Sequence, residues 1–445
     1  MSVLRMLCRI AVFVAWILPL HAAERRPNIV VFFMDDLGWG DLRTYGATDV
    51  KTPNLDRLAR EGVRLTDCYA AAPLCTPTRA AFMTGRYQHR VGLENVLAAS
   101  LNNSDKGLSA SEPTLPRYLK NAGYATGLIG KWHLGWRPEF LPNRHGFDEF
   151  FGFLGGAVDY YSHRGEQGEH DLYENDRPVE LKTYLTDEIT TRAVSFVERH
   201  AAEPFFLDVA YNATHWPFQP PGLTSPPAHP QGTPGEVVQQ WAAVGTRDDY
   251  VRMLERADQG IGRILATIDR LGLRNDTLVI FASDNGGEWL SRMDPLLNRK
   301  ATLWEGGLRV PCILRWPARL PAKRVSKQAA ITMDLTATIL AAGGVKISAE
   351  KPLDGIDLVP LLAGNRPPLE RTFYWLGTRA GSPEKAMRDG RWKYVAQSHF
   401  PGFLFDLEKD LGERRDLAAK DPAKLKAMKE KHAAWERTIR PVKQP

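Results

Sequence analysis

The chain has 445 residues, 43% hydrophobic and 25% charged, with a formal net charge of +6. These proportions describe an ordinary globular protein and exclude a disordered or fibrous one. The positive charge is mild and comes with neither a basic stripe nor zinc-ligand spacing. It therefore suits anionic substrates and carries no nucleic-acid signature.

Residues 1–23 form the first unit. Arg5 and Arg9 precede an apolar run from Ile10 to Leu20, and His21-Ala22-Ala23 offers a small-residue cleavage region before Glu24-Arg25-Arg26. This is a signal-peptide layout, too short for a comfortable membrane span; an uncleaved N-terminal anchor is the alternative. The expectation is a secreted or periplasmic protein with no membrane span after cleavage. Loss of the two arginines lowers the charge from +6 by two, to +4. Cys68, Cys75 and Cys312 then remain, few and odd in number, which argues against a disulfide scaffold. Cys68 and Cys312 lie in apolar settings and read as buried free thiols, with a disulfide between them left open.

Short apolar runs then alternate with helical patterns, which predicts an α/β fold with a large, mainly parallel sheet between helices. Asn28 to Met34 reads as a buried strand ending at Asp35-Asp36-Leu37-Gly38. Ala125 to Ile129 is a second, ending at Gly130-Lys131-Trp132-His133. Phe205 to Ala210 is a third, followed closely by His215-Trp216-Pro217. Thr277 to Ala282 is a fourth, ending at Ser283-Asp284-Asn285-Gly286-Gly287. Each polar cluster lies just past the carboxyl end of its strand. In a parallel sheet those ends share one edge, where open α/β folds bind ligands, so the four clusters are expected to converge.

The stretch from Pro217 to Pro234 is proline-rich and reads as a rigid loop at the rim of that site. Beyond about Arg366 the pattern changes. Phe373-Tyr374-Trp375, Lys385 to Arg388 and Trp392 to Val395 read as antiparallel strands, and Pro422 to Ile439 as a charged helix. The predicted organisation is a signal peptide (1–23), a catalytic domain (24–365) and a small C-terminal α+β subdomain with antiparallel sheet (366–445).

Cys75-Thr76-Pro77-Thr78-Arg79 opens a helical pattern that Gly85 is placed to close. The thiol then sits at a helix N-terminus, where backbone N–H groups favour negative charge. By local sequence alone this reads equally as a buried structural cysteine. Asp35, Asp36, Asp284 and Asn285 are hard oxygen donors, suited to Ca²⁺ rather than zinc.

With these motifs in view, the chain resembles the type I sulfatase family of the alkaline-phosphatase-like superfamily. Cys-x-Pro-x-Arg is that family's signature for converting cysteine to formylglycine. The resemblance extends through Asp35-Asp36-Leu37-Gly38, Gly130-Lys131-Trp132-His133, His215-Trp216-Pro217, Ser283-Asp284-Asn285-Gly286, Lys300 with Trp304-Glu305-Gly306-Gly307, and Arg388 to Lys393. One departure is Thr78, where the family more often has Ser or Ala.

The resemblance implies a sulfuric ester hydrolase acting through a covalent sulfo-enzyme. Its nucleophile is a formylglycine made from Cys75 by a sulfatase-maturing enzyme. It implies one Ca²⁺ held by Asp35, Asp36, Asp284, Asn285 and residue 75. It assigns sulfate contacts to Lys131 and Lys300, orientation of the hydrated aldehyde to Arg79, the base to His133 and the alcohol donor to His215. Asp159-Tyr160-Tyr161-Ser162-His163, within a glycine-containing segment from Gly152, resembles the N-acetylgalactosamine-4-sulfatase type. That implies a sulfated carbohydrate, with a galacto-configured 4-O-sulfate as the first expectation. The rival readings are a formylglycine-dependent phosphomonoester or phosphonate-ester hydrolase and a non-catalytic glycan-binding relative.

Overall fold

The structure is a computed structural model and describes residues 26–97, 105–223, 229–379, 382–397 and 400–439. The expected signal peptide lies outside the described residues.

The strands are β1 (Asn28–Met34), β2 (Val63–Tyr69), β3 (Ala125–Lys131), β4 (Glu149–Phe153), β5 (Tyr173–Glu174), β6 (Arg177–Pro178), β7 (Phe205–Ala210), β8 (Thr277–Ser283), β9 (Arg309–Arg315), β10 (Arg324–Ser326) and β11 (Ala330–Ile331). They form one sheet in the order β10-β2-β9-β8-β1-β7-β3-β4-β5-β6, with β11 also paired to β2. The contiguous strands β8, β1, β7, β3 and β4 are mutually parallel. Strands β1, β7 and β8 are buried along their whole length. That burial explains why their sequences are nearly unbroken apolar runs: parallel strands are covered on both faces.

The main helices are α1 (Pro53–Glu61), α2 (Cys75–Thr84), α3 (Leu115–Asn121), α4 (Leu185–Arg199), α5 (Pro234–Ala243), α6 (Arg247–Arg270), α7 (Glu305–Leu308) and α8 (Thr332–Ala342). One hydrophobic layer joins the sheet to α1, α4 and α6, and a second joins its other face to α2, α3 and α8. Thr246 caps α6 by accepting from the Asp249 N–H, with Asp249 reciprocating. Gly85 ends α2 in the left-handed region at φ 66°, its N–H bonded to Ala81 O at 2.8 Å.

All four predicted strands are present, β3 and β8 running slightly further than expected. Sequence reasoning overlooked β2 and β9. Strand β9 carries Pro311 and runs antiparallel to both β8 and β2. Opposite Pro311, which has no N–H for the ladder, β2 shifts register between Leu65 and Cys68. Cys68 and Cys312 are free buried thiols.

A second sheet holds β12 (Thr372–Arg379), β13 (Ser382–Asp389), β14 (Trp392–Ala396) and β15 (Phe403–Asp406), antiparallel in that order, with one further short helix, α9 (Val359–Leu362), before it and α10 (Pro422–Ile439) after it. Trp375 stacks toward Tyr69 of β2, ring centroids 5.5 Å apart. Beneath this junction Lys393 is fully buried. Its Nζ lies 2.8 Å from Glu305 and 3.3 Å from Glu413. The Tyr69 hydroxyl donates to the same Glu305 carboxylate at 2.6 Å.

Candidate active site

The four clusters converge as the topology requires, because β8, β1, β7 and β3 are neighbours. Asp35, Asp36, Asp284 and Asn285 are completely buried. Asn285 Nδ2 donates to Asp36 Oδ1 at 2.7 Å, and the Asp36 N–H donates to Asp284 Oδ1 at 3.3 Å. Lys131, the last residue of β3, places Nζ 2.7 Å from Asp35. Lys300 places Nζ 2.6 Å from Asp36 Oδ2 and 3.1 Å from His215 Nε2. Arg79 reaches from α2 to Asp284, with Nε at 3.0 Å, and donates through Nη1 to Lys131 O at 3.1 Å.

Cys75 begins α2 at the floor of a cavity of about 250 Å³ that His133, Gly156, His215, Trp216 and Lys300 help to line. The structure thus brings together every predicted site residue. Burial pushes the pKa of the Cys75 thiol up against the pull of Lys131 and Lys300. A larger cavity of about 720 Å³ lies beside the second sheet and is lined by none of these residues. Among its charged walls Arg388 is paired with Asp67 at 2.7 Å and Arg371 with Asp334 at 3.0 Å.

Burial also pushes Asp35 up, to about 8, with Lys131 opposing and Asp284 and Asp36 reinforcing the shift. For Asp36 burial is outweighed by the nearby ammonium groups, Lys300 above all and then Lys131, which hold the carboxyl at about 2. Both histidines are pushed well below their usual pKa, His133 by burial and Lys131, His215 by burial and Lys300. His215 Nδ1 lies 2.7 Å from Trp216 O and His133 Nε2 lies 3.1 Å from Leu97 O. A carbonyl partner needs a donor, so His215 Nε2 and His133 Nδ1 are assigned as the unprotonated nitrogens. His133 Nδ1 is buried without a partner.

The donor set fits a hard cation. Asp35 Oδ1 and Asn285 Oδ1 are buried acceptors with no donor, an expensive arrangement unless an ion or other group satisfies them. Asp35, Asp36 and His215 also present ligand atoms within 4.8 Å of one another. Asp284 is not one of that trio, and its two oxygens accept from Arg79 and the Asp36 N–H.

Several supporting residues had no obvious sequence signal. Thr76 Oγ1 donates to His133 O at 3.1 Å and accepts from the Leu97 N–H at 3.2 Å, tying α2 to the β3 loop. The departure at Thr78 has a structural role: its hydroxyl donates to Ala72 O at 2.9 Å and accepts from Ala72 N at 3.1 Å, bracing the turn before Cys75. Lys300 is anchored through its backbone, its N–H bonded to Gly287 O at 3.0 Å.

The segment after Gly152 differs from expectation. Tyr160 is buried, and its hydroxyl has two carbonyl acceptors in reach of its single proton, Asn212 O at 2.8 Å and His215 O at 2.9 Å. Asp159 accepts from Gln219 Nε2 at 2.6 Å. These side chains brace the His215 loop rather than present a face to a sugar. Gly156 alone of this segment borders the cavity, and a Cβ there would meet the His133 ring at 2.8 Å. Asn212, which opens the sequon-like triplet Asn212-Ala213-Thr214, is also buried.

Such a cleft at the carboxyl edge of an alkaline-phosphatase-like sheet defines a hydrolase of small oxyanion esters. The model of the Sulfatase family matches residues 27–345, and that of the N-sulphoglucosamine sulphohydrolase C-terminal region matches residues 297–438. The chain belongs to the sulfatase family and is a sulfuric ester hydrolase. It is 36% identical to N-acetylgalactosamine-6-sulfatase of Canis lupus familiaris over 80% of this chain and 69% of that one. It is 32% identical to steryl-sulfatase of Mus musculus over 90% and 80%. The crystal structure of Ps i-CgsB in complex with k-i-k-neocarrahexaose superposes with a TM-score of 0.84, at 31% identity and 94% coverage of both chains. Among the described residues no helix is long and apolar enough to cross a membrane.

Proposed function

We propose that this enzyme is exported and removes sulfate from a sulfated glycan whose esterified sugar is galacto-configured, after a sulfatase-maturing enzyme has converted Cys75 to formylglycine. The observation that carries this reading is residue 75 at the floor of a cavity walled by Lys300, His133 and His215, with the acidic cluster beside it. The name N-acetylgalactosamine-6-sulfatase and the neocarrahexaose bound to Ps i-CgsB support the glycan assignment.

Formylglycine supplies a hydrated aldehyde, one hydroxyl for attack at sulfur and another for expelling sulfate, which serine lacks. Asp35, Asp36, Asp284, Asn285 and residue 75 would hold one Ca²⁺, which supplies positive charge against the sulfate oxygens. Lys300 lines the cavity and Lys131 stands behind it against Asp35, and fixed ammonium groups so placed stabilise charge growing on the ester. Arg79, locked between Asp284 and Lys131 O, orients residue 75. His133 offers a buried, unprotonated Nδ1 as the base. Lys300 Nζ donates to His215 Nε2 at 3.1 Å, and this pair is placed to pass a proton to the departing alcohol.

Parallel assays on 4-nitrophenyl sulfate and phosphate separate this reading from the phosphoesterase rival. Sulfate release is then compared on chondroitin 4-sulfate, chondroitin 6-sulfate and carrageenan oligosaccharides, and on steroid and choline sulfates. Turnover of the last two with none on any sugar overturns the glycan assignment alone.

A further inference from the structure

The catalytic cavity does not end at Lys300. A second compartment of about 400 Å³ adjoins it and shares two of its walls, Glu288 and Lys300. The outer walls of this compartment include Trp289, Asn298 and Arg299.

Trp289 is 44% exposed, unusual for so large an apolar side chain. It is nevertheless held in place. Its Nε1 donates to Ala242 O at 2.9 Å and its backbone N–H donates to Glu288 Oε1 at 3.0 Å. A tethered indole with an open face binds the apolar face of a pyranose without first losing rotamer freedom. Arg299 is 54% exposed, and its nearest acid is Glu288 at 3.9 Å, too long for a hydrogen bond. Its guanidinium retains donors for an external carboxylate or sulfate, which it matches in geometry.

We propose that Trp289 and Arg299 form an adjoining subsite for the next sugar of an anionic glycan, the ring lying on Trp289 and its carboxylate or sulfate on Arg299. This rests on the glycan sulfatase reading and extends it: the enzyme acts on sulfated sugars within an acidic oligosaccharide and handles isolated monosaccharides poorly. Glu288, between the compartments, is placed to accept a hydroxyl hydrogen bond from either sugar.

The test compares kcat/KM on three probes: a chondroitin-type disaccharide with sulfated N-acetylgalactosamine at its non-reducing end, the same compound with its carboxyl reduced to an alcohol, and 4-nitrophenyl sulfate. The readout is the disaccharide-to-aryl ratio, which a general loss of folding does not move. Trp289→Ala is expected to lower that ratio about tenfold, and Trp289→Phe, which keeps the ring face, to restore most of it. Arg299→Gln is expected to lower it for the acidic disaccharide and leave it unchanged for the reduced one. An unchanged ratio in Trp289→Ala overturns the subsite, and equal effects of Arg299→Gln on both disaccharides overturn its anionic preference. A wild-type enzyme that hydrolyses the aryl ester and no sugar refutes the glycan reading itself, and the subsite with it.

Discussion

Arg79 closes on a single carboxylate oxygen of Asp284, with Nε at 3.0 Å and Nη2 at 2.9 Å, and neither side chain is more than 3% exposed. The guanidinium also lies 5.3 Å above the Phe33 ring of β1 and donates to Lys131 O at the end of β3. Deleting one partner of a buried pair strands the other charge, at a cost of about 3–5 kcal/mol. Arg79→Ala is therefore expected to lower the denaturant midpoint as well as activity. Arg79→Lys, which keeps charge but not the fork, should recover part of the stability and little of the rate.

Cys75→Ala changes a small side chain with no bond to any neighbour, and the fold should survive with a loss of about 1 kcal/mol or less. Turnover should disappear. Mass analysis of the peptide from Ala70 to Arg79 should show aldehyde in place of thiol in active wild-type protein. Fully active enzyme with an intact thiol at this position refutes the proposed nucleophile.

A cation bound only by the folded state stabilises it by about 2.7 kcal/mol at a hundredfold excess over Kd. Added Ca²⁺ should therefore raise the melting temperature of the wild type, and a chelator should reverse the rise. In Asp35→Ala the Ca²⁺-dependent increment should vanish, because Asp35 Oδ1 is one of the two unsatisfied oxygens. An increment that persists in the variant removes Asp35 from the ligand set.

Asp171 is buried, and its carboxylate accepts from the Leu154 and Gly155 N–H groups at 2.8 and 2.9 Å. Burial outweighs those bonds and pushes its pKa from 3.8 up to about 7. The unfolded chain ionises near the lower value and the folded protein near the higher one. The stabilisation is therefore complete below about pH 4 and is lost as pH rises through about 7, by at most about 4 kcal/mol. Asp171→Asn should flatten this part of the stability–pH curve. The slope is the readout, since the new amide NH₂ faces a backbone donor and lowers stability at every pH.

Lys393→Met should strip Glu413 of its buried cation and leave Glu305 with Arg309 alone, 3.2 Å away. Burial already raises Glu413 to about 7. Loss of roughly 3–5 kcal/mol is expected, together with a higher KM, because Glu305 ends the loop that carries Lys300. A variant with wild-type KM confines Lys393 to stability.

The site was legible where the chain writes its chemistry beside strong local signals. Asp35, Lys131, His215 and Asp284 each follow an apolar run buried on both faces, and Cys75 opens a helix closed by Gly85. Lys300 had no such neighbour, because a backbone bond to Gly287 holds it, and backbone bonds leave no mark in side-chain pattern. Strand β9 was hidden by Pro311, tolerated because β2 bulges opposite it. Tyr160 illustrates the reverse error. Aromatic and polar residues near a site read as a sugar platform, yet whether a hydroxyl meets ligand or backbone depends on packing across distant segments.

The burial of Cys75, 3% exposed at the foot of its cavity, also sets an order of events. In the proposed conversion the maturing enzyme has to reach a thiol that the finished fold seals, because Cys75-Thr76-Pro77-Thr78-Arg79 is the first turn of α2, with Thr78 and Arg79 already engaged. Under that proposal maturation competes with folding for the same residues: chains that close first would keep a sealed thiol and stay inactive, and slowing the folding of the nascent chain should raise the active fraction.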